Sequence, residues 1–121
     1  TGNGRYWDIA ERAVASLYEP MSKYPTGFAQ WLCAAAFIMG NPQELAIVGD
    51  HGLDDTERLI ATAFTAYRPN LVVAVGQSGK AIPLLANRDM LDNQATAYLC
   101  QRFVCQRPVT TSAALAAQLE A

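Results

Sequence analysis

Hydrophobic and polar positions change period part-way along the chain, and the change marks out its elements. Tyr6, Trp7, Ala10, Ala13, Val14, Leu17 and Tyr18 recur at steps of three and four, with Asp8, Glu11 and Arg12 between them, which predicts a helix with one apolar face. Pro20 is expected to close it, and Tyr24-Pro25-Thr26-Gly27 to form a loop in which Thr26 caps the next helix. That next helix, Phe28 to Met39, reads Trp-Leu-Cys-Ala-Ala-Ala-Phe-Ile-Met after Gln30 and has no polar side, so it must be covered all round or meet a partner. Gly40-Asn41-Pro42 ends it.

After Pro42 the pattern shortens. Glu44 to Val48 and Leu71 to Val75 are apolar runs of strand length. Between them, Asp54 and Glu57 form a capping-box-like helix start, followed by the stripe Leu59, Ile60, Ala63, Phe64 and Tyr67. Strand, helix and strand with short joints predict a parallel βαβ unit. Ile82 to Leu85 and Asn87 to Asn93 read as irregular or weakly helical, Thr96 to Cys100 as a third strand, and Ala113 to Leu119 as an alanine-rich helix capped from Thr110-Thr111-Ser112. The expected class is α/β: an N-terminal helical hairpin (1–42) leading into a small, mainly parallel three-stranded sheet with flanking helices (43–121), together one compact unit.

Composition sharpens this picture. Of 121 residues, 51% are hydrophobic and 17% charged, against about 25% charged in ordinary soluble domains, so some surfaces are expected to be covered. A chain beginning Thr1-Gly2 without methionine is expected to be an excised piece of something longer. A net charge of −2 gives no footprint for nucleic acid. The longest apolar run, Trp31 to Met39, is far shorter than a membrane span, and no signal-peptide pattern is present. Three cysteines, an odd number, argue for a reducing compartment, and the cytoplasm is the expected location.

Three features carry candidate chemistry. Cys100 and Cys105 form a thiol pair only if their sulfurs meet. In one continuous strand their Cα atoms would lie about 16 Å apart, whereas a disulfide needs about 4.4–6.8 Å. Gln101 to Val104 contains no Gly, Pro, Asn or Asp to reverse the chain. The expectation is therefore two small buried hydrophobes, with a thiol-active module as the alternative. Zinc would need Cys33 and His51 as further ligands, and Cys33 belongs in the apolar helix as core. The second feature is Gly49-Asp50-His51-Gly52 after a strand, a place where α/β proteins bind phosphates or sugars. Asp50, Asp54 and Asp55 oppose an anion there, and Asp50 beside His51 suggests an acid–base pair or a solvated turn. The third, Gly76-Gln77-Ser78-Gly79-Lys80-Ala81, has too few residues between its glycines for a phosphate loop and Ala81 in place of the metal-binding hydroxyl, so it reads as a turn. Gly49, Asp50, His51, Gly52, Gly76, Gly79 and Lys80 are the residues of a small-ligand loop, if one exists. No metal, cofactor or catalytic residue is assigned.

The run Ala95-Thr96-Ala97-Tyr98-Leu99-Cys100-Gln101-Arg102-Phe103-Val104-Cys105-Gln106-Arg107-Pro108-Val109-Thr110-Thr111 resembles the C-terminus of the YyaL/spermatogenesis-associated protein 20-like family, in which a C-x4-C pair follows Ala-Tyr and precedes Pro-Val-Thr. Tyr24 to Leu32 and Glu44 to Asp50 resemble it in the same order. The resemblance implies a parent with a thioredoxin-like domain and a helical toroid similar to six-hairpin glycosidases and N-acylglucosamine epimerases. This chain would be the end of the toroid plus an α/β appendix. Its expected role is then structural and non-catalytic. Its partners would be the upstream domains, or a second copy through Phe28–Met39.

Overall fold

In the computed structural model, described for residues 3–79, 81–101 and 104–121, the chain divides into two units, Thr1–Pro42 and Gln43–Ala121. The first is helical. Asn3 caps α1 (Gly4–Ser16) by accepting a hydrogen bond from the Arg5 amide at 3.0 Å. The helix does not run on to Pro20. It breaks at Leu17, and α2 (Tyr18–Lys23) carries Pro20 in its first turn, where a missing N–H leaves no intrahelical bond unmade. Nor does Thr26 cap the next helix. Pro25–Phe28 winds as a 3-10 turn, and α3 (Ala29–Met39) begins behind Phe28 with no side-chain cap. At its end the left-handed residue is Asn41 (φ 54°), not Gly40.

α1 packs against α3, yet neither helix contains a buried residue. The buried hydrophobic side chain of this unit is Met21 on α2. Trp31, Leu32 and Met39 stand 41%, 39% and 81% exposed. Cys33, expected as core, is exposed and free, because it belongs to an apolar helix whose surface is largely open.

The second unit is built on a four-stranded sheet in the order β2-β1-β3-β4. β1 (Gln43–Val48) lies parallel to β2 (Leu71–Gly76), joined through α4 (Asp54–Ala63), which realises the βαβ unit. The sheet is nevertheless mixed and four-stranded, not three-stranded and mainly parallel. β3 (Thr96–Gln101) runs antiparallel to β1 on its other side, and β4 (Val104–Cys105) folds back antiparallel on β3. Local periodicity identifies strands but carries no information on their order or direction.

Alternation along the strands separates the two faces. Leu45, Ile47, Ala97 and Leu99 form one core with Leu59 and Ala63 of α4 and Leu115 of α5 (Ser112–Glu120), whose N-cap Thr111 accepts from the Ala114 amide. Ala46 and Val48 face the other way, where Leu84, Leu85 and Tyr98 pack on them. A 3-10 turn at Pro83–Leu85 and a tight Leu91–Gln94 reversal, with Asp92 and Asn93 both at positive φ (50° and 57°), lead the chain back into β3. Among the described residues no helix is long and apolar enough to cross a membrane.

Candidate functional site

The C-x4-C pair sits where β3 turns into β4. Gln101 pairs with Val104 and Cys100 with Cys105 across the antiparallel ladder. The Leu99 carbonyl accepts the Gln106 amide at 2.8 Å, so the cysteines occupy the position between ladder hydrogen bonds, where facing side chains come closest. Cys100 and Cys105 are joined as a disulfide with Cα atoms 3.9 Å apart. The expectation of two separate thiols is therefore wrong, and its error was the assumption of one continuous strand. The chain reverses between Gln101 and Val104 without any of the usual turn residues; Arg102 and Phe103 themselves lie outside the described residues. The missed signal was the spacing itself, since a two-residue hairpin loop places exactly the residues five apart opposite one another. With two of three cysteines paired, the count no longer argues for a reducing compartment.

Arg88 completes this corner, and nothing in its sequence context pointed to it. Its Nη2 lies 3.4 Å from Cys100 Sγ and 3.5 Å from Cys105 Sγ, while Nη1 donates to the Leu84 carbonyl. The guanidinium also stands 5.8 Å from the ring centroid of Tyr98, whose hydroxyl donates to the Asp89 carbonyl at 2.6 Å. Cys100 is buried and Cys105 exposed. Both line a shallow hollow of about 190 Å³, together with Gln43, Leu99, Val104 and Gln106 among others.

The loops at the ends of β1 and β2 do come together: the Gly49 amide donates to the Gly76 carbonyl at 3.1 Å, and Gln77 Nε2 donates to Asp50 Oδ1. The amides that an anion would use are already engaged, however. Glu57 reaches back to accept from the Gly52 amide at 2.9 Å, and its Oε1 lies 3.3 Å from His51 Nδ1. The Gly52 amide first, and His51 second, hold the Glu57 carboxyl below its ordinary pKa. Asp55 accepts from the amides of Ala95 and Thr56, each at 2.8 Å, and those two bonds, in that order, lower its pKa. Asp54 pairs with Arg58 one turn on. Of the carboxylates read as repelling an anion, Asp55 thus takes an anion's place at the Thr56 amide, while Asp50 and Asp54 bond the side chains of Gln77 and Arg58. His51 is exposed and faces Glu57 rather than pairing with Asp50.

Gly49 is required by packing. A Cβ there would lie 2.4 Å from Thr56 Oγ1 and 3.0 Å from Ala95 Cβ. Gly52 (φ 88°) and Gly76 (φ 153°) hold backbone angles that suit glycine, and Gly79 lies in open space. Lys80 falls outside the described residues. Among the described residues no group of three or more His, Cys, Asp or Glu is placed to hold a metal ion.

No family model and no solved structure matches this chain. It is similar to spermatogenesis-associated protein 20 of Homo sapiens at 27% identity, of Rattus norvegicus at 24% and of Mus musculus at 22%, in each case over 116 residues and 91% of this chain. The chain spans about 15% of the length of each of these relatives.

Proposed function

We propose that this chain is a structural, non-catalytic segment of a larger protein, and that its helical unit packs against helices lying elsewhere in that protein. The observation that carries the reading is α3, apolar from Trp31 to Met39 and with no buried residue. Tyr6, Trp7 and Ile9 of α1 and Trp31, Leu32 and Met39 of α3 leave water in contact with large apolar side chains. Burying one such side chain is worth about 1.5–3 kcal/mol, and large apolar side chains gathered on two helices that pack together suit an interaction surface. The occupant we assign is the remainder of a chain of relative-like length, since the segment matches only 15% of those proteins. In that proposal the helical unit closes a toroid of helices, the mixed sheet is its appendix, and a thioredoxin-like domain lies further upstream.

The test compares the chain alone with the chain extended by its upstream sequence. Alone it is expected to bind a hydrophobic dye and to self-associate in sedimentation velocity. The extended protein should lose both properties. A monodisperse monomer that leaves the dye dark would refute the proposal.

A further inference from the structure

The disulfide corner goes beyond a structural role. We propose that Cys100 and Cys105 form an exchangeable dithiol–disulfide couple, with a dithiol as the exchange partner and Arg88 as the group that holds the thiolate released on reduction.

Two independent placements support this. The two half-cystines differ in exposure: Cys105 is open to solvent while Cys100 is only 2% exposed. Attack is therefore directed to one sulfur, and the other becomes the leaving group. Arg88 Nη2 lies within 3.5 Å of both sulfurs, and a permanent cation at that distance favours a thiolate over a thiol. The guanidinium is fixed there by the Leu84 carbonyl and the Tyr98 ring, which do not depend on the disulfide.

The exchange balances as follows. One thiolate of the dithiol attacks Cys105 Sγ and forms a mixed disulfide. The Sγ–Sγ bond breaks, and Cys100 leaves with the electron pair beside Arg88. The second thiol of the partner loses its proton to solvent and attacks its own linked sulfur, and Cys105 leaves and is protonated. Two electrons pass from the dithiol to the pair, the partner becomes a disulfide, and the proton that Cys100 does not take remains in solvent. Other ionisable groups bear on the same corner. Glu44 of β1 is the register partner of Cys100 and shares its sheet face, so its carboxylate opposes Arg88. Asp89 follows Arg88 in the chain, and Tyr98 stands on the same face two residues before Cys100. β4 contributes no charged residue.

The test uses the whole chain. Dithiothreitol under native conditions should reduce the pair, read by alkylation and mass spectrometry at Cys100 and Cys105. The pH profile of iodoacetamide alkylation in the reduced protein should give a thiol pKa below the ordinary value of about 8.5. Arg88→Met should raise that value by about one unit. The tenfold loss of thiolate at pH 7, partly offset by greater nucleophilicity, should slow alkylation about threefold. Arg88→Lys should restore most of the shift, and Glu44→Gln should lower the pKa further. If Arg88→Met fails to fold, the wild-type profile and the lysine variant still decide. A pair that stays oxidised in excess dithiothreitol while the fold is intact, or a wild-type thiol pKa at or above 8.5, would overturn the proposal.

Discussion

Replacing Gly49 by alanine probes the tightest contact in the second unit. The new Cβ would stand 2.4 Å from Thr56 Oγ1, about 1 Å inside ordinary contact, and 3.0 Å from Ala95 Cβ. Thr56 and Ala95 are both buried, at the start of α4 and at the entry to β3, and Asp55 ties those two segments together through the Ala95 amide. Ala95 cannot retreat without moving backbone, and turning the fully buried Thr56 side chain would press it into its other neighbours. Overpacking of this kind costs about 1–3 kcal/mol. Lost freedom of the unfolded chain returns about 0.4–1 kcal/mol, leaving a net destabilisation of about 1–2 kcal/mol. In a domain of this size that lowers the melting temperature by roughly 4–15 °C. Thr56→Ala removes the closer obstacle and costs about 1 kcal/mol for its lost methyl. In that background Gly49→Ala should cost little more, giving a coupling of about 1 kcal/mol between the two sites. Urea denaturation followed by circular dichroism measures all four corners of the cycle. A Gly49→Ala protein as stable as the parent, or strictly additive effects, would refute the packing argument.

Two further outcomes follow from the same unit. Asp55 and Glu57 have carboxyl pKa values lowered by folding, so their contribution is complete above the ordinary carboxylate range and is lost as pH falls through the lowered folded values. Asp55→Ala should accordingly flatten the fall in urea midpoint between pH 5 and pH 2, and an unchanged acid slope would contradict the assigned hydrogen bonds. Leu115 is fully buried where α5 meets the sheet, and Leu115→Ala should cost about 2–5 kcal/mol, read as a lowered thermal midpoint with the disulfide still formed.

The elements were largely legible because each has a local cause. Leu71 to Val75 is an unbroken apolar run and becomes β2; Thr110 to Ser112 predicts the start of α5, and Thr111 caps it. Pairing was not legible. β3 lies beside β1 because Ala97 and Leu99 complete the core over Leu115, a long-range fact that no window of sequence contains. The Asp92-Asn93 reversal carried a readable turn signal that the irregular reading of 87–93 passed over. At the candidate site the cysteines were singled out correctly but read as separate, whereas they are joined. Arg88 was missed because its role depends on the segment after β2 folding back over Tyr98. The start of α4 was half visible: the acidic residues were noticed, but the expected capping box from Asp54 and Glu57 does not form, since Leu53 holds the N-cap position without a side-chain bond and Asp55 and Glu57 accept instead from the Ala95 and Gly52 amides.

The strand order β2-β1-β3-β4 has a temporal consequence. The central strand, Gln43–Val48, is synthesised before both of its neighbours: Leu71–Gly76 emerges next, and Thr96–Gln101 only after that. Until then one edge of β1 has no permanent partner, and a nascent or truncated chain presents an apolar strand edge open to mispairing. Stability of the sheet is thus held back until Thr96–Gln101 has emerged, and that strand acts as its closing step.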